Sequence, residues 1–221
     1  MEDSSPLFLF LGIVAAITIP IVMWAIRSAR KRTQEFSEVA RQLGFRFLGN
    51  TWRGPALLPE HKTCMVQRTR GQFTNAMTGS YGGLDTTLSD YSYQMGKSSV
   101  TLTLACFIQD RQLPPFELRG ENIFDRIGEA FVHRDIDFDS NPAFSRRYFL
   151  RSPDEARTRN LFTPGLLSYL EQIPAEKKWH VETSGEALVV YQYRQLVNAA
   201  EVPAFLDESS AIARTILDAA G

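Results

Sequence analysis

The chain is short of the side chains that catalysis most often uses: it has two cysteines, Cys64 and Cys106, and three histidines, His61, His133 and His180. The cysteines form no CxxC pair, which excludes a CxxC redox motif and suits a reducing cytoplasm without a disulfide framework; a structural bridge between them would go with an inverted topology. A basic surplus is also missing. Removing Arg27, Arg30, Lys31, Arg32, Glu2 and Asp3 from totals of 24 basic and 25 acidic residues leaves 20 against 23 for residues 33–221. That balance excludes the basic footprint of a nucleic-acid-binding domain. There is no GxxxxGK[ST] loop and no serine in a nucleophile elbow. No internal repeat or low-complexity segment occurs.

Charge is absent from one long stretch. Residues 7–26, from Leu7 to Ile26, read LFLFLGIVAAITIPIVMWAI, and Arg27, Arg30, Lys31 and Arg32 follow directly. Twenty helical residues cover roughly 30 Å, the hydrocarbon thickness of a bilayer. A cleaved signal peptide fits poorly, because the segment before the run is acidic and a small-x-small cleavage site is missing. Pro20 would break a soluble helix, whereas membrane-spanning helices tolerate it. Trp24 stands where an interfacial aromatic is expected. All four flanking cations lie after the run, so the N-terminus is expected outside and the rest in the cytoplasm of a single-pass inner-membrane protein. The same cations are candidates for contact with anionic headgroups.

What remains is enough for one domain with a substantial core. Fifteen Phe, seven Tyr and three Trp make disorder implausible. Phe36, Val39, Ala40 and Leu43 recur at helical spacing before Gly44, predicting that the span continues as a stalk helix. A short strand over 45–48 and a loop over 49–60 should follow. Residues 61–119 read as an antiparallel meander, with Cys64 and Val66 on one strand. Leu102, Leu104, Cys106 and Ile108 share a face there, with Thr101 and Thr103 turned away. The turn GSYGG at 79–83 interrupts the meander, and 116–118 is an edge segment. The C-terminal half should hold a helix over 122–131, strands near Ile136 and Tyr148, and a helix start capped by Ser152. Thr163-Pro164 restarts that helix, a hairpin turns at Ser184-Gly185, and an amphipathic helix closes the chain. The expected class is α+β: a transmembrane helix and stalk, then an antiparallel β-meander with packed helices. The expected divisions are 1–6 tail, 7–26 span, 27–44 stalk and 45–221 cytoplasmic domain, with a seam near Gly120.

One cluster invites a metal. On a strand, His133, Asp135, Asp137 and Asp139 would share a face, and their oxygens suit Mg²⁺ or Ca²⁺. The loop pattern fails at Ser140 and Arg146, where a calcium loop needs glycine and a bidentate acid. Alternate strand side chains, ~6.6–7 Å apart, are also too distant to share one ion. His61 with Cys64 forms a conceivable dyad, but Cys64 alternates as a core position, where thiols are inert. His180 and Glu182 read as an exposed pair. Arg146, Arg147, Arg157 and Arg159 read as a solvated surface that could meet lipid phosphates.

Residues 141–157 (NPAFSRRYFLRSPDEAR), followed by LFTP at 161–164, and NAMTGSYGG at 75–83, resemble motifs of a family of bacterial membrane proteins that carry a domain of unknown function. The interval between Ala156-Arg157 and Thr163-Pro164 is longer here. The resemblance implies a membrane-anchored α+β domain and supplies no catalytic residues. No catalytic residue or cofactor is therefore expected. The expected role is non-enzymatic binding of a protein partner, a second copy or lipid headgroups. The rival is a membrane-proximal enzyme using a divalent cation at the His133–Asp139 face.

Overall fold

A computed structural model describes residues 5–55, 65–69, 71–120 and 135–221. It begins with α1, Ser5–Gln42, a 38-residue helix that passes through Pro20 without ending. At 1.5 Å per residue it is roughly 57 Å long, well beyond a bilayer core. Gly44 ends it with φ +70. The Phe45 amide donates to Ala40 O at 2.7 Å and the Gly44 amide to Arg41 O at 3.3 Å, the paired bonds of a Schellman cap. The stripe predicted for the stalk is the docked face: Phe36, Val39 and Ala40 are buried, and Leu43 packs against the same core.

Eight strands follow: β1 Arg46–Gly49, β2 Gln72–Tyr81, β3 Leu84–Met95, β4 Ser98–Ile108, β5 Phe116–Gly120, β6 Tyr148–Arg151, β7 Trp179–Ser184 and β8 Ala187–Gln192. They form one antiparallel sheet in the order β1-β2-β3-β4-β8-β7-β5-β6. The seam expected near Gly120 falls at the end of β5, inside this shared sheet. Gly82 and Gly83, both at positive φ, make the two-residue turn between β2 and β3. Gly79 lies within β2, where a Cβ would come 2.5 Å from the Phe45 ring.

The helices are α2 Met65–Thr69, α3 Pro142–Arg147, α4 Glu155–Leu161, α5 Pro164–Gln172 and α6 Val202–Ala219. The larger core lies on the sheet face covered by α1 and α6, with Leu88, Phe107, Val190, Phe205 and Ile212 among its members. A smaller cluster lies on the other face, built on Tyr91, Leu102, Leu104, Cys106 and Tyr191 beneath Met65. The fold is α+β, as the interleaved periodicities predict.

Several local expectations are corrected. Val66 lies in α2 rather than a strand. Leu102, Leu104 and Cys106 do share a face, but it belongs to the smaller cluster, and Thr103 opposite them is fully buried. β5 is interior, between β7 and β6, because its prolines precede the strand and cost no ladder bond. The cap of α4 is Asp154, which accepts from the Arg157 amide at 3.1 Å. Ser152 Oγ instead accepts from the Asp154 amide and donates to Pro115 O. Residues 135–138 run extended without forming a ladder strand. The helix expected over 122–131 lies outside the described residues.

Candidate membrane interface

Among the described residues, one helix is long and apolar enough to cross a membrane, and none of its apolar window is buried in the domain. Eleven large apolar side chains between Phe10 and Ile26 are exposed, Trp24 at 71%. Burying each in an apolar medium is worth about 1.5–3 kcal/mol, so the whole surface carries on the order of 20 kcal/mol. A patch of that size marks an interaction surface.

The basic cluster after it divides. Arg27, Arg30 and Lys31 are exposed, and Lys31 makes only a solvated i,i+4 pair with Glu35 at 3.6 Å. Arg32, next in sequence, turns into the protein. Its Nε donates to Asp90 Oδ2 and its Nη2 to Asp90 Oδ1, both at 2.7 Å. Nη2 also reaches Val197 O at 3.0 Å, and the guanidinium stacks 4.3 Å from the Phe36 ring centroid. The carboxylate is 2% exposed. It accepts further bonds from Asn75 Nδ2 at 2.8 Å and Thr103 Oγ1 at 2.9 Å. Thr33, the next helix residue, donates through Oγ1 to Asn75 Oδ1 at 2.8 Å.

Local sequence builds this site. Asn75 sits at a bulge in β2 with φ +53, a left-handed conformation that asparagine tolerates better than most residues. The bulge aims its amide at Asp90, in the middle of β3. A buried pair repays its desolvation only when such extra hydrogen bonds satisfy it, and here they do. The arrangement fixes the helix's rotation and height on the sheet. Asp90, Asn75, Thr103 and Thr33 were not singled out as an assembly by sequence. The one signal the sequence carries is Asp90 within residues 84–93, a strand segment whose faces mix polar and apolar residues.

The other candidates disperse. His133, His61 and Cys64 lie outside the described residues. Asp135 accepts from the Leu150 amide at 2.8 Å, while Asp137 and Asp139 are exposed. No group of three metal-ligating side chains occurs among the described residues. His180 and Glu182 are buried, correcting their reading as an exposed pair, because the smaller cluster covers that face too. Glu182 accepts from Tyr191 OH at 2.6 Å and from the Met65 amide. Cys106 is fully buried, which pushes its thiol up to about 12 and leaves it unreactive. Arg157 and Arg159 serve the domain: they donate to Gln112 O and Asp137 O, and Arg159 also pairs with Glu155.

No family model and no curated protein matches the sequence. Among solved structures, the chain is similar to the crystal structure of the mycobacterial trehalose monomycolate transport factor A, TtfA. The TM-score is 0.51 with 12% identity, covering 86% of this chain and 94% of that one. At that identity the likeness is one of fold.

Proposed function

We propose that the protein is a single-pass membrane protein that holds a non-enzymatic α+β domain against the cytoplasmic face of the inner membrane, where the domain engages lipid headgroups. The observation that carries this reading is the rigid join between span and domain. The helix that offers an apolar surface to a bilayer is the same helix that Arg32 locks to Asp90. A flexible tether would only localise a domain; a locked helix also sets which surface faces the lipid. Arg27, Arg30 and Lys31 then lie at the cytoplasmic boundary, each worth about 1 kcal/mol against an anionic surface. The fold shared with a trehalose monomycolate transport factor is compatible with a lipid-facing role.

The test has two parts. Cysteines placed at position 4 and at exposed Ser98 are labelled in intact cells with an impermeant reagent; position 4 should react and Ser98 should not. Photo-crosslinking from exposed domain positions in native membranes should then yield lipid adducts. The reverse labelling pattern would invert the topology. Adducts to a protein alone would replace headgroups with a partner, and no adducts of either kind would reject the reading.

A further inference from the structure

The register shows from which end of the sheet the apolar half of α1 leaves. Met95 and Ser98 close the β3–β4 hairpin at one end, and Tyr81 and Leu84 close β2–β3 at the other. Arg32 lies over Asp90 and Thr103 in mid-sheet, while Phe45, just past the helix, packs against Gly79 and Tyr81 near the second end. α1 therefore descends toward the Tyr81 end as it runs forward, and its apolar half leaves over the Met95–Ser98 end. Following the pairs across, that end also holds the start of β7 at Trp179, the end of β5 at Gly120 and the start of β6 at Tyr148.

A cleft of about 310 Å³ opens there, lined by Arg146, Arg147, Lys178 and His180, with Tyr148 and Trp179 as walls. Among the described residues no carboxylate lines it. Arg147 Nη1 donates to Glu171 O at 2.6 Å, whereas its Nε and Nη2 are buried without a hydrogen-bond partner among the described residues. Buried donors left unpaired cost free energy, and a guanidinium fork in that state is matched by a tetrahedral oxyanion. Arg146 and Lys178 are exposed, and among the described residues neither side chain has an ion-pair or hydrogen-bond partner. Three cations converge on a concave surface with no compensating acid among the described residues that line it, a geometry that focuses positive potential. The volume lies at the lower end of small-ligand sites, enough for a phosphate with part of what it is attached to.

We propose that this cleft is a phosphate-binding site, in which the Arg147 guanidinium turns its unpaired Nε and Nη2 to the oxyanion and Arg146 and Lys178 neutralise it from the rim. Phosphate chemistry follows from the cleft alone. Its source as a lipid headgroup rests on the membrane-held reading above, since the cleft lies on the membrane-directed end.

The full chain is tested in two settings: calorimetry with inorganic phosphate in a neutral detergent, and thermal unfolding in phosphatidylcholine nanodiscs with and without phosphatidic acid. The variants are Arg147→Gln and the exposed double change Arg146→Glu/Lys178→Glu, which keeps the test valid should Arg147→Gln misfold. One-to-one phosphate binding, weakened about tenfold or more in the variants, supports the site. Stabilisation by phosphatidic acid that the variants lose, without binding of inorganic phosphate, supports it with the lipid as source. No response in either setting, or equal responses in wild type and the double variant, overturns it. Lipid adducts from other surfaces with a silent cleft would leave the membrane-held reading standing and remove the site. Phosphate binding with inverted topology would do the opposite.

Discussion

Between Phe10 and Ile26, α1 shows large apolar side chains in every direction; between Arg32 and Ala40 it shows them on one side, and that side is buried. The backbone is one helix throughout. What differs is the surroundings each half suits: an apolar surface all round suits lipid, whereas a sheet accepts a single stripe. The division falls inside the basic cluster. Arg30 and Lys31 are exposed, and Arg32, one position on, belongs to the domain. Adjacent cations thus have different work, and only the rotation of the helix assigns it.

That contrast can be broken most severely at Asp90. Asp90→Ala leaves the part-buried Arg32 guanidinium without its anion and the Asn75 and Thr103 donors without their acceptor, and a loss of about 3–5 kcal/mol in chemical denaturation of the domain is expected. Phe36→Ala removes a fully buried ring from the same docking face and should cost about 3–4 kcal/mol, read as a lower melting temperature of the detergent-solubilised chain. Neither change should release the protein from membranes at high salt, because the apolar half is untouched.

A smaller effect is expected at the sheet end remote from the span. Tyr81 OH donates to Asp207 Oδ1 at 2.7 Å, and burial, followed by that bond to Asp207, pushes the phenol up to about 12 from its ordinary 10. Folding therefore favours the protonated phenol. Its contribution is complete below pH 10 and lost as pH rises toward 12. Stability should be level up to pH 9 and fall above 10, and Tyr81→Phe should shrink that fall without abolishing it, since Tyr93 and Tyr148 are also raised by burial. The slope should be the same in micelles and in nanodiscs. Smallest of all, Ile17→Ala and Arg30→Ala should each change the domain's unfolding free energy by less than about 0.5 kcal/mol.

Much of the fold was legible because local signals and tertiary demands agreed. The stripe from Phe36 to Leu43, the Gly44 cap, the Thr163-Pro164 helix start and the Ser184-Gly185 hairpin each follow from one segment's own chemistry. Thr163 Oγ1, for example, accepts from the Leu166 amide as its position predicts. What failed depended on knowing a second surface. His180 and Glu182 alternate with Trp179 and Val181, and alternation says only that two faces differ, not that one is wet. The central strands of this sheet are covered on both sides, so the polar face is buried as well. The lock was invisible for another reason: Arg32 and Asp90 are far apart in sequence, and each has an ordinary local explanation, as topology signal and as strand acid. Arg146 and Arg147 were legible as a solvated surface that could meet lipid phosphates, but not as a cleft, because their convergence with Lys178 depends on β6 and β7 flanking β5.

The central claim is that Arg32, unlike its neighbours, couples the membrane helix to the sheet. A double-mutant cycle measures this directly: Arg32→Ala and Asp90→Ala, singly and together, beside the same cycle with Arg30→Ala, by denaturant unfolding of the full chain. The account predicts a coupling of about 2–3 kcal/mol for Arg32 with Asp90 and near zero for Arg30 with Asp90. Additive effects in the Arg32 cycle, or equal couplings in both, would contradict it.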